Sequence, residues 1–138
     1  MLKAAIFDID GTLVDSVDLH ARAWQEAFAH FGHRVEFSAV RSQIGKGGDQ
    51  LMPVFLSKEE IDRRGQEIEE YRSKLYKQQY LPKVRGFPEV RQLIECIKGN
   101  GLKVVIASSA KSDELQTYKR IAGIENLIDE EISAPTML

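Results

Sequence analysis

The chain opens on a nearly unbroken apolar run. Across residues 3–9, Ala4, Ala5, Ile6, Phe7 and Ile9 surround a single acid, Asp8. Such a run predicts a strand covered on both faces, as in a parallel sheet. Gly11 ends it. The period then changes. Val17, Ala21, Trp24, Phe28 and Phe31 are spaced by four, three, four and three, one face of an amphipathic helix that Gly32 stops. A shorter helical stretch over 38–44 runs into Gly45-Lys46-Gly47-Gly48, which reads as a flexible loop. Ser57-Lys58-Glu59-Glu60 has the form of a capping box. The helix it opens carries Ile61, Ile68, Tyr71 and Leu75 on one stripe, and Leu81-Pro82 closes it.

Strand and helix then alternate. Pro88 followed by Val90, Leu93, Ile94 and Ile97 predicts a helix that ends at Gly99-Asn100-Gly101. Residues 102–107, Leu-Lys-Val-Val-Ile-Ala, predict a second strand. Ser112-Asp113-Glu114 reads as the cap of a helix that runs through Leu115, Tyr118 and Ile121 to Gly123. Residues 128–133 read as a short third strand. A strand–helix–strand alternation predicts an α/β fold with a parallel sheet, and the helices of 15–81 read as an insertion after the first strand.

Composition narrows the class. The 138 residues are 43% hydrophobic and 29% charged, as expected of one packed domain with an insertion. A net charge of −2 gives no reason to expect nucleic acid or an acidic membrane as partner. No apolar run approaches a membrane span, and Met1-Leu2-Lys3 lacks a signal-peptide layout. The single cysteine, Cys96, has no disulfide partner, so an intracellular, cytoplasmic setting is expected. Set among Leu93, Ile94 and Ile97, Cys96 reads as a buried structural thiol.

The segment that carries chemistry is Asp8-Ile9-Asp10-Gly11-Thr12-Leu13-Val14-Asp15. Two acids end a strand at the carboxyl edge, where open α/β sheets bind ligands. Carboxylates at i and i+2 share a strand face, and two like charges there are costly without a cation. A hard divalent ion such as Mg²⁺ supplies one. Gly11 allows a sharp turn that can aim backbone N–H groups at a phosphate. A calcium loop is excluded, because its sixth and twelfth positions counted from Asp8 are Leu13 and Leu19. A Walker loop is excluded too: Val40 stands where its first glycine belongs, and neither Ser nor Thr follows Lys46.

The run from Asp8 to Asp15 resembles the first signature of the haloacid dehalogenase superfamily, Asp-x-Asp-Gly-Thr-x-x-Asp, in the branch containing phosphoglycolate phosphatase and β-phosphoglucomutase. Val105-Ile106-Ala107-Ser108-Ser109 resembles the second signature, and Asp18-Leu19-His20 with Trp24 resembles the first helix of that branch's cap. Gly86-Phe87-Pro88-Glu89-Val90 resembles the Pro-Gly lead-in to the next helix, with Pro and Gly arranged differently. The resemblance implies a Rossmannoid parallel core over 1–14 and 82–138 and a helical cap over 15–81. It implies that Asp8 is the nucleophile and Asp10 the acid/base, that Mg²⁺ sits at Asp8 and Asp10, and that Gly11, Thr12, Ser108, Ser109 and Lys111 hold phosphate. His20 and Lys46, with Arg41, are cap candidates for the substrate's distal part. A small phosphorylated metabolite is the implied substrate.

Two further family signatures, a Lys and an acidic pair, are not found. Their absence implies a core incomplete in its C-terminal half, with Lys111 the candidate to replace the missing cation. In the family the strand bearing the acidic pair lies beside the first strand. Without it the first strand becomes an apolar edge, from which self-association is expected. The rival expectation is an inactive, phosphate-binding or self-associating module. Phosphonate cleavage through a lysine imine ranks last, because Lys46, Lys58 and Lys74 sit in polar surroundings.

Overall fold

The computed structural model describes residues 3–132. Met1, Leu2 and the stretch from Ser133 onward, where the expected third strand ends, lie outside them. The chain divides into two compact units, 1–15 with 85–138, and 16–84.

The first unit is a mixed α/β layer. Strands β1 (Ala4–Phe7), β4 (Lys103–Ala107) and β5 (Glu130–Ile132) form a parallel sheet in the order β1-β4-β5. β2 (Val14–Asp15) and β3 (Arg85–Gly86), joined through residues 16–84, pair antiparallel as a separate two-stranded sheet. Helices α5 (Val90–Gly99) and α6 (Ser112–Ala122) carry the crossovers. Ile94, Ile106, Leu115, Tyr118 and Ile124, all fully buried, form this unit's core with Val104. Asp129 ties β4 to the lead-in of β5: its carboxylate accepts from the Val104 N–H at 2.8 Å and from Lys98 Nζ at 2.8 Å.

β1 is not covered on both faces. Ala4 and Ile6 are exposed, Ile6 by 68%, and Ile132 of β5 is 63% exposed. The in-register parallel pairing puts Ala4 and Ile6 on the same face as Val105, Ala107 and Ile132. β1 is also an edge strand among the described residues. The apolar run was therefore a sound signal for a strand and a poor one for its surroundings. Cys96 is likewise exposed, not buried. The α5 stripe that reaches the core is Val90 and Ile94, and Leu93 is 49% exposed.

The second unit is four helices: α1 (Val17–His30), α2 (Phe37–Arg41), α3 (Gly48–Phe55) and α4 (Lys58–Leu75). A π-turn (Tyr76–Tyr80) and a 3₁₀ turn (Leu81–Lys83) follow. Trp24 and Phe28 of α1 pack with Val40, Leu51, Met52, Leu56 and Ile68. Phe28 lies 5.6 Å from the Trp24 ring and 5.5 Å from Phe55. Ser57 caps α4 as its sequence requires, its Oγ accepting from the Glu60 N–H at 3.2 Å. Gly32, at φ 91°, ends α1. The expected loop at 45–48 is shorter than predicted, because Gly48 already begins α3.

Candidate active site

The Asp8 side of the site is built by a strand that stops and a chain that immediately coils. After Phe7 the backbone wraps once around the Ile9 carbonyl, which accepts from Thr12, Leu13 and Val14 N–H at 3.2, 2.9 and 3.1 Å. Gly11 N–H closes the turn on the Val14 carbonyl at 2.8 Å. Gly11 adopts φ 77°, a left-handed conformation that L side chains disfavour, so glycine is required by the turn itself. Ile9, Leu13 and Val14 point into the core and anchor the turn, while Gly11 and Thr12 remain exposed. Asp8 and Asp10 lie on either side of the buried Ile9, with Asp10 half-buried. The antiparallel β2–β3 pair holds the far end, Val14 opposite Gly86.

The Ser108 side follows from the parallel register. Phe7 pairs with Ile106, so Asp8 leaves the sheet beside Ala107 and Ser108 one step further on. Adjacent strands stand about 4.8 Å apart, which makes the two loops neighbours at one sheet edge. Ser108 is fixed at both ends: its N–H donates to the Ile132 carbonyl at 2.9 Å, and its Oγ accepts from the Ala110 N–H at 3.0 Å. The hydroxyl proton is thereby left for another acceptor. Lys111, not Ser112, occupies the N-cap position of α6, and no side chain caps that helix. Ser109 and Lys111 are exposed at the helix start.

The electrostatics of the Asp8 loop are set by two neighbouring carboxylates. Partial burial pushes the Asp8 carboxyl above the usual carboxylate range; a backbone hydrogen bond at Ile9 pulls it back, and the Asp10 charge adds to the rise. A divalent ion between the two carboxylates would relieve that strain. Among the described residues no cluster of three or more His, Cys, Asp or Glu could hold a metal. Two carboxylates still suit Mg²⁺, which commonly keeps several waters and takes one or two carboxylates plus substrate phosphate.

The structure thus brings Asp8, Asp10, Gly11, Thr12, Ser108, Ser109 and Lys111 into two neighbouring loops of one unit. The sequence matches this geometry along almost its whole length: residues 5–137 match the haloacid dehalogenase-like hydrolase family. The chain belongs to that family. It is 29% identical over 127 residues to the phosphoglycolate phosphatase of Aquifex aeolicus, covering 91% of this chain and 56% of that protein. It is 32% identical over 108 residues to the phosphoglycolate phosphatase of Yersinia pseudotuberculosis, covering 75% and 46%. In fold it is similar to a haloacid dehalogenase-like family hydrolase from Streptococcus pneumoniae, with a TM-score of 0.82 at 22% identity, over 98% of this chain and 62% of that one. The chain therefore spans roughly half to three fifths of the proteins it matches.

The cap candidates lie in the second unit and have partners there. His20 stacks on Tyr76 with ring centroids 4.0 Å apart. Lys46 Nζ donates to Gln43 Oε1 at 2.6 Å, and Arg41 pairs with Asp18 at 2.5 Å. The antiparallel β2–β3 pair that follows the Asp8 loop escaped the sequence reading. Its strands are two residues each, too short for any alternation to show. No helix among the described residues is long and apolar enough to cross a membrane.

Proposed function

We propose that the chain performs phosphoryl transfer from a small phosphate ester, with Asp8 as nucleophile. The observation that carries this reading is the pairing of the Asp8 and Ser108 loops at the carboxyl edge of adjacent parallel strands. In the proposed reaction an Asp8 carboxylate oxygen forms a bond to phosphorus, and the ester oxygen leaves with a proton from Asp10. Water then attacks the same phosphorus, Asp10 takes its proton, and Asp8 is freed as carboxylate with inorganic phosphate released. Ser108 donates to a phosphate oxygen, the Thr12 side chain at the exposed end of the turn contacts another, and Lys111 balances their charge. Mg²⁺ bound at Asp8 and Asp10 would lower the repulsion between carboxylate and phosphate. The relatives named phosphoglycolate phosphatase support a small phosphorylated metabolite as substrate. His20 and Lys46 are the proposed contacts to its distal part, and the cytoplasm is the proposed compartment.

A second reading is kept because the described residues supply only two carboxylates for a metal. Under it the chain binds phosphate and associates without turning over. Phosphate release from an aryl phosphate separates the two. Release that needs Mg²⁺ and disappears in Asp8→Asn supports catalysis. Equal rates for the two proteins support the binding module.

A further inference from the structure

We propose that Glu69 and Arg72 are positioning residues: their ion pair fixes the end of the Gly45–Gly48 loop and so holds Lys46 in place for the distal part of the substrate. The functional half of this inference rests on the reading of Lys46 as a contact to that distal part. The structural half rests on the 16–84 unit alone.

The pair is poorly explained as a device for stability. Arg72 is only 9% exposed, and its guanidinium donates to Glu69 Oε1 one turn earlier on α4. Two of their atoms, Glu69 Oε2 and Arg72 Nε, are shielded from solvent without a hydrogen-bond partner. An ion pair left incomplete in this way returns little against the cost of taking charge out of water. Its geometry gives it another use. The Arg72 guanidinium lies over the Trp24 ring, 4.8 Å from the centroid, which ties α4 to α1. The Glu69 carboxylate is pressed against Gly48, the first residue of α3. A Cβ at Gly48 would collide with Glu69 Oε2 and stand 3.1 Å from Trp24 Cη2. α1, α3 and α4 therefore meet at one point, and the start of α3 is a favourable place for a carboxylate.

Lys46 needs such an anchor. It is exposed, and its neighbours Gly45, Gly47 and Gly48 are the residues with most backbone freedom to lose. The first end of the loop is held by Ile44, which packs against the core of this unit. The second end is held at Gly48, only two residues from Lys46, by the Glu69 carboxylate. Trp24 and Arg72 keep that carboxylate from swinging aside, as an unsupported glutamate would.

The test uses the full-length chain carrying Asp8→Asn, with Mg²⁺ present, so that nothing turns over under the proposed chemistry. Calorimetric titration compares 2-phosphoglycolate, which has a distal carboxylate, with inorganic phosphate, which has no distal part. Lys46→Met should weaken 2-phosphoglycolate about tenfold, the loss of one hydrogen bond to a charged group, and leave inorganic phosphate unchanged. Glu69→Gln keeps the side chain's volume without its charge, and Gly48→Ala keeps the charge but displaces it. Each should reproduce the selective loss, and neither should add to Lys46→Met. Amide exchange at Gln50 and Leu51, which both donate to the Gly47 carbonyl at 2.9 Å, should quicken about tenfold in either variant. Unchanged exchange overturns the anchor, whether or not a ligand binds. Equal weakening of both ligands, or a loss that adds to Lys46→Met, overturns the positioning of Lys46. A Lys46→Met protein indistinguishable from its parent, as when neither ligand binds, refutes the reading of Lys46 itself. The functional half then falls with that reading, and the exchange rates still judge the anchor by themselves.

Discussion

Two glycine-to-alanine substitutions should move stability in opposite directions, because the same methyl group meets different surroundings. At Gly86, in β3, an added Cβ would lie 3.1 Å from the Ala122 Cα and 3.3 Å from the Ile121 carbonyl oxygen. Both are backbone atoms at the end of α6, which cannot rotate aside as a side chain can. Overpacking of this kind costs about 1–3 kcal/mol. Restricting the unfolded chain returns about 0.4–1 kcal/mol. Gly86→Ala should therefore be destabilising by roughly 0.5–2 kcal/mol. At Gly99, the last residue of α5, nothing lies within 4 Å of the added atom, and the backbone is not left-handed. Gly99→Ala should be stabilising by about 0.5–1 kcal/mol, the helix preference for alanine. Urea unfolding of the two variants beside wild type reads both signs through the midpoint at constant m. Gly86→Ala unfolding at or above the midpoint of Gly99→Ala would refute the reasoning. It would mean that the end of α6 does not press on β3.

Three further outcomes are expected. Ser57→Ala removes the only side-chain cap on α4 among the described residues and should cost about 1 kcal/mol in urea unfolding, with Ser57→Asp close to wild type. Asp129 is held below the usual carboxylate range by its hydrogen bond from Lys98 and then by that from the Val104 N–H. Its lowered folded-state value means its contribution is complete above pH 3.8 and is lost as pH falls through the folded value. Asp129→Asn should thus lower the thermal midpoint at pH 7, and the gap should close under acid; a gap independent of pH contradicts the assignment. Ser108→Ala should lower kcat/KM for an aryl phosphate by about 10- to 100-fold through loss of one hydrogen bond to a charged group, whereas Ser108→Thr keeps most of the rate.

The parts of the fold legible in the sequence are those with a local cause. The α1 stripe from Val17 to Phe31, the Ser57 cap and the Gly32 and Gly123 stops each follow from residues within one or two turns, and each stands in the structure. The parallel sheet was legible because 3–9 and 102–107 are short apolar runs separated by helices. What failed was set by distant neighbours. The exposure of Ile6 depends on what lies beside β1, and the exposure of Cys96 on which turn of α5 meets the sheet. α3 was hidden because it opens on Gly48 and contains Pro53, two residues that signal a loop. Ser112 was read as a cap, but the extended backbone falls one residue earlier, at Lys111. Of the candidate site, the pairing of Asp8 with Asp10 was legible as spacing. The nearness of Ser108 needed the strand register, which no local pattern states.

The claim that Asp8 is the nucleophile is tested most directly by trapping its phosphorylated form. The chain is mixed with a reactive acyl or aryl phosphate and Mg²⁺, quenched in acid, digested, and the Asp8 peptide weighed. The account predicts a peptide heavier by one phosphoryl group, sensitive to hydroxylamine and absent from Asp8→Asn. An unmodified Asp8 peptide in a sample that is releasing phosphate would contradict it, and the nucleophile would have to be sought elsewhere.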